Sequence, residues 1–188
     1  MLYTRRGDRG TTRIFGCDER LSKASPVPEA LGALDELNSF LGLCRADIGA
    51  HGTFSVPVGK SKRRVEQVVH DVQQALFIVQ AEVAGANKRI TKTKVTGIEN
   101  ITNSIEKKLP PITSFSLAGG TYLSSLFDVT RTLARKAERR VVAVHDEGIQ
   151  KVGTNTLAYL NRLSSLLFAL ARYANYVDDV AEEAPSYR

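Results

Sequence analysis

The sequence predicts an all-α fold, a single up-and-down bundle of five helices, on three observations. Apolar residues recur at alternating steps of four and three along the long segments, as they do on helices that bury one stripe. Clusters of proline and glycine separate those segments. The 188 residues, 43% hydrophobic and 24% charged, suffice for one domain with one core.

Residues 1–25 are rich in Gly, Thr, Arg and Asp and show no helical period, so they read as a loop. Pro26 and Pro28 open the first helix, since proline is tolerated in a first turn. Ala30, Leu34, Leu37, Leu41 and Cys44 form its stripe. Residues 50–60 carry Gly52, Pro57 and Gly59 and read as a loop. The second helix is expected from about Ser61 to Ala86, on Val65, Val69, Val72, Leu76, Val79 and Val83. A weaker third helix, about Lys94 to Leu109, ends at Pro110-Pro111, because proline lacks the amide that would continue it. Residues 112–120 form a connector. The fourth helix is expected from about Thr121 to Asp146, burying Leu123, Leu126, Leu133, Ala137, Val141 and Val144. The fifth is expected from Thr154 to Glu183, on Leu160, Leu163, Leu167, Leu170, Ala174 and Val177. Long stripes of this kind suit near-antiparallel bundle packing. The chain is thus expected to be one domain, 1–188, with the loop at 1–25 and the bundle over 26–183.

Composition narrows the function. Aromatics are 7% with no Trp, which argues against a base-stacking surface, and the net charge of +6 suits nucleotide phosphates as well as nucleic acid. Cys17 and Cys44 have no metal-type spacing, and Cys44 on its stripe reads as a buried small hydrophobe. No run reaches a membrane span and Met1 to Arg6 has no apolar signal core, so a cytoplasmic, membrane-free protein is expected. His51, His70 and His145 are scattered and fit surface or packing roles. No Glu-x-x-His pair and no Gly-x-Ser-x-Gly occurs.

Three constellations remain. Thr4-Arg5-Arg6-Gly7-Asp8-Arg9-Gly10-Thr11-Thr12 combines glycines, hydroxyls and arginines, the inventory of a loop that turns donors toward an anion. It is not a Walker A sequence, and a basic tail has the same composition. Arg131, Arg135, Glu138 and Arg139, with Lys136, share a face of the fourth helix, which also suits a solvated, ion-paired face. Asp35 and Asn38 on the first helix, and Asn161 and Ser164 on the fifth, sit beside apolar stripes. A carboxylate buried there needs a partner, and an arginine of the fourth helix is the obvious one.

In order along the chain these segments resemble the PduO-type ATP:cob(I)alamin adenosyltransferases. The resemblance is carried by Tyr3 to Thr12, by Leu21-Ser22-Lys23, by Glu29 to Ser39, by Phe115-Ser116-Leu117-Ala118-Gly119-Gly120, by Arg131 to Val142 and by Tyr159 to Ser164. It implies transfer of the 5′-deoxyadenosyl group of ATP to the cobalt of cob(I)alamin, giving adenosylcobalamin and triphosphate. It implies a homotrimer with active sites between subunits, Mg²⁺ accompanying ATP, cob(I)alamin or cob(II)alamin as the other substrate, and a possible corrinoid reductase as partner. By motif position, Thr4, Arg5, Arg6, Gly7, Gly10, Thr11, Thr12, Arg13 and Lys23 would hold phosphate. Arg135, Lys136, Glu138, Arg139 and Asn161 would complete the ATP site, and Asp35 and Arg131 would pair near the corrin. Phe115 would line the lower corrin face, and Asp35, Phe115, Arg131 and Arg135 would carry catalysis. Arg6 stands where the family has threonine, Lys136 where it has arginine and Ala118 where it has proline. A lysine keeps the charge there but loses the planar fork.

Two other readings share part of this pattern. A basic helical module for RNA or DNA would need the same cations but not Asp8, Asp35 and Glu138. An ATP-binding bundle without catalysis would keep the loop and the fourth helix.

Overall fold

A computed structural model describes residues 2–15, 18–51 and 54–187, with the side chain of His51 left aside; Cys17 lies outside the described residues. Five helices carry the fold: α1 (Pro26–His51), α2 (Val65–Val83), α3 (Lys92–Glu106), α4 (Tyr122–Asp146) and α5 (Thr154–Val177). Two short antiparallel pairs accompany them, β1 (Thr11–Thr12) with β2 (Leu21–Ser22) and β3 (Ser55–Val58) with β4 (Ser61–Arg64).

Cross-links between side chains fix the directions. Arg45 and Gln73 tie α1 to α2 through Glu66 and the Asn38 carbonyl, an antiparallel match. Cys44 meets Thr130 and Glu36 meets Lys136, so α1 and α4 are antiparallel. Asn161 meets Glu138, and Asn175 meets the residues that open α4, so α4 and α5 are antiparallel too. The stripes of α1, α2, α3 and α5 converge in one core, with Leu34, Leu37, Leu41, Leu76, Ile105, Leu160 and Leu163 fully enclosed. Truncating one such leucine to alanine costs about 2–5 kcal/mol.

The helix boundaries follow local chemistry. Thr121 and Thr91 cap α4 and α3, each accepting from the amide three residues on. Gly85 and Gly148, both at positive φ, end α2 and α4. Three expectations change. Ser61–Arg64 is a strand and not the start of α2: Gly59 at φ +60° turns a tight hairpin that pairs Ser55 with Arg64 and buries Val56, and the helical stripe begins only at Val65. Helix α5 stops at Val177 rather than Glu183, because Asp179 at φ 54° reverses the chain and Glu182 returns to Arg172. The buried face of α4 runs through Ser124, Phe127, Thr130, Ala134, Ala137, Val141 and Val144. Leu123, Leu126 and Leu133 pack only at its edge, since small Ala134 and Ala137 let α4 lie close to its neighbours.

Candidate functional site

The N-terminal loop is folded on itself. Arg5 at φ 57° begins a turn in which the Asp8 amide reaches the Arg5 carbonyl, and Gly10 at φ +75° passes the chain into β1. The Lys23 amide donates to the Gly10 carbonyl at 2.9 Å. The Lys23 ammonium lies against Gly7, where a Cβ would stand 3.0 Å from Nζ. Arg20, which the sequence reading passed over, staples the hairpin: Nε donates to Thr11 Oγ1 at 2.8 Å, and Nη2 donates to the carbonyls of Thr11 and Arg6. Its only sequence signal is its place directly before Leu21-Ser22-Lys23. Arg5, Arg6 and Lys23 stay exposed, so the loop presents charge on a closed turn.

A second group stands on α4 and α5. Arg135 and Arg139 are exposed, and neither makes an ion pair among the described residues. Glu138 accepts from Asn161 Nδ2 at 3.0 Å, which holds the amide one helix away from the arginines. Arg162 in turn donates to Glu99 at 3.1 Å. Lys136 points to the other side and pairs with Glu36. Ser164 is buried and donates to the Asn161 carbonyl, a packing role.

The third group lies where α4 begins and α5 ends. Gly119 at φ +130° and Gly120 at φ +103° carry the connector into α4. Asn175 clamps them, donating to the Gly119 carbonyl at 2.8 Å and accepting from the Thr121 amide at 2.9 Å. A Cβ on Gly120 would come within 2.7 Å of Asn175 Cγ, so glycine is required there. Phe115 projects from this connector with 81% of its surface exposed. It lines a cleft of about 500 Å³ with Phe168 and Tyr176, next to a second of about 470 Å³ between α3 and α5.

The Asp35–Arg131 pair is not made within the chain. Asp35 is exposed on α1, while Arg131 bonds Asp128 at 3.3 Å and lies over the Phe168 ring. The α1–α4 match, Cys44 opposite Thr130 and Glu36 opposite Lys136, explains this. Those two matches put Asp35 some six to eight residues from the level of Arg131, roughly 9–12 Å along the axis. Asn38 is half-buried and its Oδ1 has no partner among the described residues. No hydrogen bond or ion pair among the described residues joins the N-terminal loop to Arg135, Glu138, Arg139 or Asn161.

Cys44, His145 and His70 make contacts inside the fold. Burial pushes the Cys44 thiol up, only partly offset by its hydrogen bond with Thr130. His145 Nδ1 accepts from the Val152 amide, and His70 sits beside Gln67 and Asp71. Among the described residues no cluster of His, Cys, Asp or Glu could hold a metal ion, and no helix is long and apolar enough to cross a membrane.

The family model for cobalamin adenosyltransferase matches residues 2–174. The corrinoid adenosyltransferase of Bacillus subtilis is 34% identical over 178 residues, covering 93% of this chain and 86% of that protein. Corrinoid adenosyltransferase PduO of Citrobacter freundii is 36% identical over 179 residues, and this chain spans 49% of its length. A structure of a variant PduO-type ATP:corrinoid adenosyltransferase from Lactobacillus reuteri, complexed with cobalamin and ATP, superposes with a TM-score of 0.86 at 30% identity, covering 98% of this chain and 99% of that one. By its sequence over nearly its whole length and by its helical fold, the chain belongs to the cobalamin adenosyltransferase family.

Proposed function

We propose that the protein transfers the 5′-deoxyadenosyl group of ATP to the cobalt of a reduced corrinoid, releasing triphosphate. The observation that carries this is the cationic face of Arg135 and Arg139, exposed and without an acidic partner among the described residues, whereas the other arginines of the helices, Arg45, Arg131, Arg140, Arg162 and Arg172, each pair with an acid. Such a face is ready for a polyanion. The family supplies the likeness, and the Lactobacillus reuteri relative was complexed with both cobalamin and ATP.

The chemistry asks for charge and position rather than a general base. Co(I) attacks C5′ of ATP with its electron pair, the C5′–O bond breaks and the triphosphate leaves with that bond's pair. Arg135, Arg139 and Lys23 stabilise the growing negative charge. Mg²⁺ would come with the ATP phosphates and supply further charge neutralisation there. Asn161, held by Glu138, fixes the nucleoside side. Phe115 and Phe168 form an apolar wall under the corrin, which disfavours a lower ligand on cobalt and leaves four-coordinate Co(II) easier to reduce.

A complete site takes two copies of the chain. Among the described residues no hydrogen bond or ion pair joins the loop to the α4–α5 face within one copy, and Asp35, exposed on α1, is placed to meet Arg131 of another. Leu43, Tyr122 and Val129, exposed along α1 and α4, supply apolar surface for that contact. We therefore propose a homotrimer with sites between subunits, working in the cytoplasm, where ATP and strong reductants are at hand, and fed by a corrinoid reductase. The test is a spectral assay of purified protein with chemically reduced cob(I)alamin and ATP. Appearance of the Co–C product is expected, and ATP binding without that product would leave only a nucleotide-binding bundle.

A further inference from the structure

We propose that Asp128 is a positioning residue of the corrinoid site, joining the Phe115 connector to Arg131 through one carboxylate. The proposal rests on the corrinoid site described above. Asp128 lies in the second turn of α4, with 13% of its side chain exposed. Its Oδ2 accepts from the Gly119 amide at 3.3 Å, and its Oδ1 accepts from Arg131 Nε at 3.3 Å. The two oxygens thus serve two different parts of the site at once.

Each of those parts is held elsewhere as well. The Gly119 carbonyl accepts from Ser124 Oγ at 3.1 Å and from Asn175 Nδ2 at 2.8 Å. With Asp128 on the amide side, donors and acceptors fix both peptide planes next to Gly119, four residues from Phe115. The Arg131 guanidinium carbon stands 5.8 Å from the centre of the Phe168 ring. Asp128 takes its Nε edge, and the two terminal nitrogens make no hydrogen bond among the described residues. They remain available to Asp35 of a second copy. A small cavity of about 50 Å³ between Gly119, Asp128, Arg131 and Phe168 marks where these groups converge.

Charge makes the carboxylate suited to this work. An ionised Asp accepts along both oxygens and neutralises the arginine it orients. The two donors approach different oxygens, so an asparagine of the same volume keeps an acceptor for one of them, turns its NH₂ toward the other, and carries no charge for Arg131. The connector and Arg131 therefore move together in this chain, and Asp128 is what couples them.

The experiment compares wild type, Asp128→Asn and Asp128→Ala as purified full-length protein. The readouts are apparent KM for ATP, apparent KM for cobalamin, and the four-coordinate share of bound Co(II) by electron paramagnetic resonance with ATP present. Asp128→Ala is expected to raise the cobalamin KM about tenfold and cut the four-coordinate share severalfold, with the ATP KM within twofold of wild type. Asp128→Asn is expected to fall between the two and covers the case in which the alanine variant does not fold. A general loss of structure would move both KM values, so the split is diagnostic. Wild-type cobalamin KM and wild-type four-coordinate share in either folded variant would overturn the proposal. A wild-type protein that binds ATP yet forms no Co–C bond would instead overturn the function on which it rests.

Discussion

Lys136 of α4 donates to Glu36 of α1 at 2.6 Å, so one cation of the basic helix is engaged inside the chain while Arg135 beside it is not. Both residues of the pair are nearly half exposed, and such pairs contribute about 0–1 kcal/mol. Lys136→Ala is therefore expected to lower stability by no more than about 1 kcal/mol in urea denaturation. It should change the ATP KM far less than Arg135→Ala does. A loss of ATP use equal to that of Arg135→Ala would mean that Lys136 leaves Glu36 to hold phosphate.

Arg135 and Lys23 come from separate parts of the chain and are expected to act on one triphosphate. Replacing either with alanine removes a charge-assisted contact to phosphate, worth about 2–4 kcal/mol in the transition state. At about 1.4 kcal/mol per factor of ten, kcat/KM for ATP should fall roughly 30- to 700-fold in each variant. Mixing the two impaired variants gives a sharper check. In an assembly whose sites lie between copies, some sites would receive Lys23 from one chain and Arg135 from another, so part of the activity should return. Mixed variants that stay impaired under conditions of subunit exchange would argue for a site within one chain.

Gly120 is the least replaceable residue of the connector. Its φ of +103° strains any other residue, at about 1–3 kcal/mol, and a Cβ would also press on the Asn175 amide. Gly120→Ala should lower the denaturation midpoint and loosen the clamp on Thr121 and Gly119. Gly32 on α1 is open around its Cβ position and lies in a helix. Gly32→Ala should be neutral or stabilising by up to about 1 kcal/mol. Equal midpoints for the two variants would remove the steric account of Gly120.

Much of the fold was legible because four of the five helices advertise one buried stripe. The stripes on α1, α2 and α5 coincide with the enclosed residues Leu34 to Cys44, Val65 to Val83 and Leu160 to Ala174, except that Val177, expected to close the α5 stripe, is exposed where the helix ends. On α4 the largest residues misled: Leu123, Leu126 and Leu133 sit at the edge, and Ala134, Ala137 and Thr130 face the core, because close helix approach favours small side chains. The β3–β4 hairpin was hidden by its charge, since Lys62, Arg63 and Arg64 do not read as a strand without the Val56 partner and the Gly59 turn. The site residues were legible as types. Their partners were not: Arg20, Asn175 and Asp128 act through contacts with residues 9, 56 and 9 positions away, which no local pattern encodes.

Phe115 and Asp35 separate corrinoid handling from ATP binding. Both are exposed within the chain, Phe115 by 81%, so neither holds the monomer fold together. Phe115→Ala removes a ring that packs on little, and its unfolding midpoint should match wild type. Its effect should appear only with corrinoid present: the four-coordinate share of Co(II) falls, adenosylation starting from Co(II) slows, and ATP affinity stays near wild type. Asp35→Asn keeps the shape and removes the charge. If Asp35 meets Arg131 of a second copy in a buried pair, the stranded arginine costs about 3–5 kcal/mol at that contact. The variant should then show weaker assembly by light scattering and a raised cobalamin KM, with the fold of each chain intact by circular dichroism. A wild-type share of four-coordinate Co(II) in Phe115→Ala would remove the aromatic wall from the mechanism. An assembly and cobalamin KM unchanged in Asp35→Asn would leave Arg131 with Asp128 alone.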